Sequence, residues 1–212
     1  MGNAKRVALV TGSASGIGSA VAVRLANEGF DTIVNYSRSA DSASNTAEKC
    51  NAAGSDTLLV QCDVSNEAGV VSMLDDIKKK YGRLDVVVNN AGTSISTLAK
   101  DFDKVSEEEF DRVFAVNVKG MFLVAKHSKA MLSEGIDPCI INTASIVGFR
   151  PGPQPLPYSA SKAAVISMTQ SLSFALGPKI RVNAVAPGWM EGEWMERMLG
   201  ENYEKLMERR AK

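Results

Sequence analysis

Two side chains with acid–base chemistry, those of Tyr158 and Lys162, stand four positions apart in a helix-like segment. Residues four apart share one face of a helix, so the phenol and the ammonium can line the same pocket. A nearby cation stabilises phenolate and lowers a tyrosine pKa that starts at about 10, which makes the phenol a general acid or base near neutral pH. The spacing is common by chance, but Ser145, thirteen residues earlier, ends a strand-like run at the edge where open α/β sheets bind ligands.

A glycine-rich segment, Thr-Gly-Ser-Ala-Ser-Gly-Ile-Gly at residues 11–18, follows the first strand-like run and opens a helix-like one. Glycines let the backbone approach a phosphate, and a helix N-terminus turns free N–H groups and a partial positive charge toward it. The spacing differs from the usual G-x-G-x-x-G fingerprint, but the position after the first strand predicts a nucleotide pyrophosphate site.

A second turn, Asn-Asn-Ala-Gly at residues 89–92, ends the fourth strand-like run. Such a sequence is a turn signal in any globular protein. Here it lies along the crevice where the strand order is expected to reverse, which is where doubly wound sheets bind their ligands. The sequence therefore predicts that this turn borders the same site.

These residues must be positioned by elements that alternate between strand and helix, a pattern typical of a parallel sheet with helices on both faces. Ser106 and Glu109 predict a capping box at the start of a long helix. We predict one α/β domain over residues 1–212 with a doubly wound parallel sheet. Strands are predicted over residues 6–11, 31–36, 57–62, 84–89, 139–143 and 180–186, and helices over 19–27, 42–53, 67–81, 106–132, 157–176 and 193–210.

The composition excludes several classes of protein. The chain has 212 residues, of which 45% are hydrophobic and 23% charged, as in an ordinary globular protein. Its 24 basic and 24 acidic residues leave no net charge to attract nucleic acid, and its longest apolar run, residues 121–125, is too short to span a membrane. Three widely spaced cysteines form neither a disulfide framework nor a metal cluster, so we expect no metal and a reduced, cytoplasmic location.

In their order and spacing, these motifs resemble those of the short-chain dehydrogenase/reductase family, whose fold is a Rossmann-type three-layer α/β sandwich. The family's chains usually continue into a seventh strand. The resemblance therefore implies that the C-terminal strand is missing here and that residues 189–212 form part of a substrate lid. The matching pieces, found between Val7 and Gly188, are the turn over residues 11–18, Asp63, the turn over residues 89–92, Asn117, Ser145, Tyr158, Lys162 and the Pro187-Gly188 pair.

The resemblance implies a catalytic role for four residues. Tyr158 would give a proton to a carbonyl during reduction, or accept one from an alcohol in the reverse direction, and Ser145 would hydrogen-bond the carbonyl oxygen. Lys162 would hold the nicotinamide ribose and lower the pKa of Tyr158. Asn117 would anchor a water that joins Lys162 to solvent as a proton relay. The hydride belongs to the cofactor, and the protein supplies orientation and electrostatics.

The resemblance also implies which residues bind the cofactor. NAD sites usually place a carboxylate near the end of the second strand, and Tyr36 holds that position here. Since no carboxylate repels a 2′-phosphate and Arg38 can pair with one, with help from Ser37, we expect NADP(H) rather than NAD(H). The implied contacts are Gly12, Ser15, Gly16, Ile17 and Gly18 for the pyrophosphate, Asp63 and Val64 for the adenine, Asn90, Ala91 and Gly92 for the ribose, Pro187 and Gly188 for the nicotinamide, and Tyr158 and Lys162.

The segments expected to surround the substrate are residues 93–97, residues 146–156 and the segment that begins at Trp189. Large apolar residues dominate them and favour a carbonyl compound that is apolar away from its carbonyl group. The first hypothesis is an NADPH-dependent ketone reductase resembling 3-oxoacyl-[acyl-carrier-protein] reductases. A sugar or polyol dehydrogenase is an alternative, and a cofactor-binding sensor or scaffold without turnover is an alternative of another class. The candidate substrate residues are Ser94, Ile146, Phe149, Leu156, Trp189, Met190 and Trp194.

The partners are expected to be a small carbonyl or alcohol substrate and further copies of the chain. Members of the family associate through two long helices, so the resemblance implies a homodimer or a two-fold homotetramer through residues 106–132 and 157–176. Neither nucleic acid nor a membrane is expected as a partner.

Overall fold

The computed structural model describes residues 5–190, Gly192, Glu196, Gly200 and residues 203–210. Six strands within the described residues form one parallel sheet. All six predicted strands are confirmed to within a few residues at each end. They are β1 (Val7–Val10), β2 (Asp31–Tyr36), β3 (Leu58–Gln61), β4 (Val86–Asn89), β5 (Cys139–Thr143) and β6 (Arg181–Val185).

The order of the strands places a crevice at the centre of the sheet. That order is β3-β2-β1-β4-β5-β6, so the chain builds outward from β1 on one side and then returns to its other side with β4. The connections that leave β1 and β4 depart in opposite directions, which opens a crevice beyond the carboxyl ends of these two strands. The glycine turn follows β1 here and the Asn-Asn-Ala-Gly turn follows β4. The predicted doubly wound, Rossmann-type α/β fold is confirmed.

Helices cover the connections between the strands. α3 begins after Asn66, whose side chain accepts a hydrogen bond from Gly69 N at 3.1 Å, and ends at Gly82, whose left-handed φ of 67° stops the helix. No helix among the described residues is long and apolar enough to cross a membrane. The α-helices are α1 (Gly16–Asn27), α2 (Ala40–Ala52), α3 (Glu67–Tyr81), α4 (Glu107–Phe114), α5 (Met121–Ser133), α6 (Leu156–Leu176) and α7 (Tyr203–Arg210).

The helix predicted over residues 106–132 begins as expected but changes its winding in the middle. Ser106 Oγ accepts from Glu109 N at 3.2 Å, and Ser106 N donates to the Glu109 carboxylate at 3.1 Å, which completes the capping box. Between α4 and α5, Ala115–Gly120 form a π-helical turn. The apolar spacing of the sequence did not predict this turn, which holds Asn117. Such turns occur frequently at functional sites.

Two apolar layers hold the helices to the sheet. Successive strand residues point to opposite faces, so Leu9 and Ile33 pack with α3 and α5 on one side. Val10 and Val34 pack with the alanines of α1 and α2 on the other side. Because both faces of the central strands are covered, all four residues of β1 and of β4 are buried, and these strands are nearly continuous apolar runs.

A buried carboxylate joins three segments at the opposite, amino-terminal edge of the sheet. Asp85 is fully buried and accepts hydrogen bonds from Val7 N at 2.7 Å and from Ile136 N at 2.5 Å. Arg83 donates to the same carboxylate through Nε at 2.9 Å and Nη2 at 2.5 Å. Burial raises the pKa of Asp85, but the hydrogen bonds from Arg83, Val7 and Ile136 outweigh burial and hold this pKa below its usual value.

Replacing this carboxylate by an amide (Asp85→Asn) is expected to lower the free energy of unfolding by about 2–4 kcal/mol, because the Arg83 guanidinium loses its counter-charge. Since the pKa is lowered in the folded state, the carboxylate stabilises the fold above its unfolded-state pKa of about 4, and this contribution disappears as the pH falls through the folded-state pKa. Urea denaturation should therefore show a difference between the two proteins that is large at neutral pH and shrinks in acid.

The matched control is Asp137→Asn, since Asp137 forms an exposed ion pair with Arg181 at 3.1 Å. Asn also suits its positive φ of 48°. This variant should change the free energy of unfolding by less than about 0.5 kcal/mol. Equal losses in the two variants would contradict the role given to Asp85.

Candidate active site

α6 brings Tyr158 and Lys162 to the carboxyl end of β5. Lys162 is 5% exposed, and its Nζ donates to the carbonyl of Thr143, the last residue of β5, at 2.6 Å. The same Nζ lies 5.7 Å from the centre of the Tyr158 ring. The structure therefore places the phenol and the ammonium side by side, as their spacing predicts.

Ser145 lies where the chain leaves β5 and enters a short 3-10 helix, Ile146–Gly148. Its hydroxyl accepts a hydrogen bond from Val147 N and donates one to the carbonyl of Pro187, both at 3.4 Å. It also forms a side-chain hydrogen bond with Tyr158. Ser145 and Tyr158 are thus in contact at the end of the strand.

The π-helical turn points the amide of Asn117 toward the same place. Asn117 Oδ1 accepts from Thr93 N at 2.7 Å, and Nδ2 donates to the carbonyl of Thr93 at 3.0 Å and to Ser161 Oγ at 2.9 Å. Ser161 in turn donates to the carbonyl of Tyr158 at 2.7 Å. The amide therefore joins the loop after β4 to the helix that carries Tyr158 and Lys162.

Burial shifts the acid–base properties of the pair. The ammonium of Lys162 is disfavoured away from water, and its pKa falls to about 8. For Tyr158, burial raises the pKa, the hydrogen bond with Ser145 lowers it, and the result lies above the usual value. The lowering of the Tyr158 pKa that the family resemblance implied is therefore not found, since burial has the largest influence and Lys162 Nζ is 5.7 Å from the ring.

The glycine turn packs directly against the turn that follows β4. Gly12 has a φ of 61°, and a side chain there would place its Cβ 2.7 Å from Ala91 Cα. At Gly18 a Cβ would overlap the Gly12 carbonyl and would lie 2.5 Å from Asn90 Nδ2. A Cβ on Gly16, at a φ of 56°, would meet open space. The turn is thus closed toward β4 and open at the N-terminus of α1.

Side-chain hydrogen bonds lock these two turns together. Thr11 Oγ1 accepts from Asn90 N at 3.0 Å and from Ala91 N at 3.1 Å. Asn90 Nδ2 donates to the carbonyl of Gly12 at 3.0 Å. At Gly92 a Cβ would lie 3.4 Å from Asn117 Oδ1 and 3.8 Å from Lys162 Nζ. The second turn therefore runs from the glycine turn to Lys162.

The other predicted cofactor residues lie at the ends of β2, β3 and β6. Tyr36 is half-buried, whereas Ser37 and Arg38 are exposed beyond the end of β2. Val64 is buried and packs so closely on Gly120 that a Cβ there would be 2.7 Å from it. After β6, the carbonyl of Pro187 accepts from Ile146 N at 3.1 Å, and the adjoining Gly188 is exposed.

Two of the predicted substrate residues line different grooves. Leu156 lines a groove of about 400 Å³ with Phe102 and Phe110, whereas Phe149 lines a separate groove of about 300 Å³ between α6 and β6. The side chain of Ser94 is half-buried and donates to the carbonyl of Ile95 at 3.3 Å. Ile146 and Met190 are exposed and Trp189 is half-buried, whereas Trp194 lies outside the described residues.

The donor set fits a dinucleotide. The open N-terminus of α1 suits a pyrophosphate, the Asp63 carboxylate suits the amino group of an adenine, and the buried ammonium of Lys162 suits ribose hydroxyls. The model of the short chain dehydrogenase family matches residues 6–203. The chain belongs to the short-chain dehydrogenase family.

Relatives and a solved structure agree with this membership. The chain is 42% identical over 185 residues to elsinochrome reductase 1 of Elsinoe fawcettii, covering 86% of this chain and 67% of the relative. It is 35% identical over 201 residues to a 3-oxoacyl-[acyl-carrier-protein] reductase of Staphylococcus aureus, covering 94% and 80%. The structure of NAD+-bound xylitol dehydrogenase superposes with a TM-score of 0.85 at 30% identity, covering 97% of this chain and 76% of that one. The chain is an oxidoreductase of this family.

One side chain that sequence reasoning missed contacts Asp63, the residue expected to bind the adenine. Arg112 of α4 donates to Asp63 Oδ2 and to Ser65 Oγ, each at 3.0 Å. Ser65 also donates to Asp63 Oδ1, through its N at 3.0 Å and its Oγ at 2.7 Å. Burial raises the Asp63 pKa, but the bonds from Ser65 and Arg112 prevail and lower it. No local spacing signals this contact, because 49 positions separate the two partners.

The burial of Lys162 predicts a titration that NMR can detect in this short-chain dehydrogenase. With lysine labelled by 13C at Cε, one resonance is expected to titrate with a midpoint at a pH of about 8, whereas exposed lysines titrate at about 10.4. Lys162→Met should remove that resonance and leave the others in place. A spectrum in which every lysine titrates near the usual value would contradict the burial of this ammonium.

Proposed function

We propose that this chain is an NADPH-dependent oxidoreductase that reduces a ketone to a secondary alcohol. The observation that carries the proposal is the meeting of Tyr158, Ser145, Lys162 and Asn117 beyond the carboxyl ends of β4 and β5. These residues come from three separate parts of the chain, the π-helical turn, the end of β5 and α6, so the fold itself must bring them together.

In the proposed reaction, the hydroxyl of Tyr158 donates its proton to the ketone oxygen, and the hydroxyl of Ser145 hydrogen-bonds that oxygen as negative charge develops on it. The bound cofactor supplies the hydride. A Tyr158 pKa above its usual value keeps the phenol protonated at neutral pH, so the proton that the reduction needs is present. Lys162, with a pKa of about 8, gains and loses a proton near neutral pH and can return one to the tyrosine oxygen.

The preference for NADP(H) rests on the end of β2. This segment contains no carboxylate, since its residues are Tyr36, Ser37 and Arg38. Gln61 Nε2 donates a hydrogen bond to the carbonyl of Ser37 at 3.0 Å. The Arg38 side chain is exposed and has no hydrogen-bond or ion-pair partner within the described residues. An unpaired guanidinium beside a ribose is suited to a 2′-phosphate, which it can bind through two parallel hydrogen bonds.

We propose a 3-oxoacyl thioester as the substrate class, supported by the reductase of Staphylococcus aureus and by the exposed apolar side chains around the site. A polyol is the alternative, supported by the likeness to xylitol dehydrogenase. Apolar side chains argue against it, because polyol hydroxyls need polar partners. Turnover of a ketose or a polyol without turnover of a 3-oxoacyl thioester would favour the alternative.

We further propose one catalytic domain that works as a homodimer or homotetramer in a reducing, cytoplasmic compartment. The helices named for association carry exposed aromatic side chains, Phe110 and Phe122 on α4 and α5 and the 90% exposed Phe174 on α6. All three cysteines are free and buried, which suits a reducing compartment.

Tyr158→Phe is expected to lower kcat for ketone reduction by about 10²-fold or more, because the proton donor is lost, while the Kd for NADPH changes little. The matched control is Tyr81→Phe, which removes an exposed hydroxyl that donates to the carbonyl of Asp56 at 2.7 Å. Steady-state kinetics gives kcat, and calorimetric titration gives the Kd for NADPH, for the wild type and the two variants. Unchanged turnover in Tyr158→Phe would contradict the mechanism, and tight cofactor binding by a wild-type protein that reduces nothing would favour the sensor alternative.

Arg38→Ala is expected to weaken NADPH binding by about tenfold or more and to leave NADH binding unchanged, since charged hydrogen bonds contribute about 1.5–3 kcal/mol. The loss should shrink at high ionic strength, because the site is exposed. Arg24→Ala is the control, since Arg24 forms an exposed ion pair with Glu28 in α1 at 2.6 Å. Equal losses for both cofactors would contradict the assignment of Arg38 to the 2′-phosphate.

A further inference from the structure

Asn35 lies where β2 extends past the end of β1. The last residue of β1, Val10, pairs with Val34, and β2 then continues beside β3 with Asn35 next to Val60. The backbone that leaves β1 therefore has no strand partner at this level, although Asn35 is only 1% exposed. Buried backbone groups in such a place need partners from side chains.

Asn35 supplies hydrogen-bond partners both to the turn after β1 and to the chain that leaves β3. Its Oδ1 accepts from Gly12 N at 3.1 Å, and its Nδ2 donates to the carbonyl of Cys62 at 3.1 Å. Its backbone accepts from Ser13 N at 2.8 Å and donates to Ser13 Oγ at 3.0 Å. Asn35 thus accepts hydrogen bonds from the N–H groups of Gly12 and Ser13 and donates one to the carbonyl that precedes Asp63.

We propose that Asn35 is a positioning residue for the dinucleotide, holding the pyrophosphate-binding turn and the adenine-binding end of β3 in one fixed arrangement. Gly12 N and Ser13 N point inward to Asn35, so the donors left for a phosphate are those at the open N-terminus of α1. On the other side, the bond to Cys62 sets the position of the next residue, Asp63. The inference rests on the proposed function through cofactor binding alone.

An amide suits this position at any pH, because one end must accept from Gly12 N and the other must donate to the Cys62 carbonyl. A carboxylate of the same shape can accept at one end but turns a negative oxygen toward the carbonyl at the other. A protonated carboxylic acid restores the missing donor. Asn35→Asp should therefore regain the native arrangement in mild acid and lose it as the carboxyl ionises.

The test is calorimetric titration of NADP+ and of NAD+ into the wild-type chain and Asn35→Asp at several pH values. At about pH 8 the variant should bind both dinucleotides about tenfold more weakly than the wild type, the cost of one unsatisfied buried hydrogen bond. At about pH 5 the ratio should fall to about twofold or less, because a buried carboxyl is then largely protonated. A ratio that does not change with pH overturns the proposal.

Thr32→Val is the matched control. Thr32 is a buried polar residue of the same strand, three positions earlier, and its hydroxyl lies 2.9 Å from Ser55 Oγ, away from the glycine turn. This variant should lose stability without losing affinity for either dinucleotide. If it weakens binding as much as Asn35→Asp, general destabilisation explains both results and the proposal is overturned.

Further outcomes separate this inference from a simple charge effect and from the proposed function. A loss confined to NADP+ would show repulsion of the 2′-phosphate by the new carboxylate and would overturn the positioning role. If Asn35→Asp does not fold, Asn35→Ser replaces it, with about tenfold weaker binding of both dinucleotides expected and wild-type binding overturning the proposal. A wild-type chain that binds neither dinucleotide overturns the proposed function and this inference together, whereas normal binding by Asn35→Asp overturns the inference alone.

Discussion

The need to satisfy buried backbone groups where parallel strands end governs the structure of this site. Inside the sheet, neighbouring strands pair each other's N–H and C=O groups, but at the carboxyl edge the chains diverge and this pairing stops. Short polar side chains replace it here. Thr11 and Asn90 join the turn after β1 to the turn after β4, and Asn117 joins the loop after β4 to α6. The groups that complete the fold are therefore also the groups that hold the site in one shape.

The same edge explains why an ammonium can be buried beside a phenol. A buried cation is costly unless it is hydrogen-bonded, and the Thr143 carbonyl at the end of β5 offers Lys162 an acceptor that no further strand residue uses. Burial still lowers the pKa of the ammonium from 10.5 to about 8 and raises that of the Tyr158 phenol above 10.0, so the two values move apart. The phenol therefore stays protonated at neutral pH, whereas the lysine changes its charge at a pH of about 8.

Sequence patterns predicted the features that local spacing encodes. The six strands, the capping box at Ser106 and the pairing of Tyr158 with Lys162 all follow from periodicity, and the structure contains them. The π-helical turn was missed because the apolar residues around Asn117 continue the helical pattern through it. Contacts between distant segments were missed as well. Arg112 reaches Asp63 only after α4 has packed across the sheet, and no spacing in the sequence records that approach.

The substrate side of the site is positioned differently from the cofactor side. Leu156 and Phe149 are both large, apolar and close to Tyr158 in sequence, and the sequence predicts that they line one pocket. The 3-10 turn after Ser145 and the start of α6 instead turn them toward separate grooves. The cofactor side is fixed by strand ends that the whole sheet holds in place, whereas the substrate side is built from loops that lie on top of it. Loops can change without disturbing the sheet. The residues at the carboxyl ends of the strands therefore determine the class of reaction, whereas the loops determine the choice of substrate.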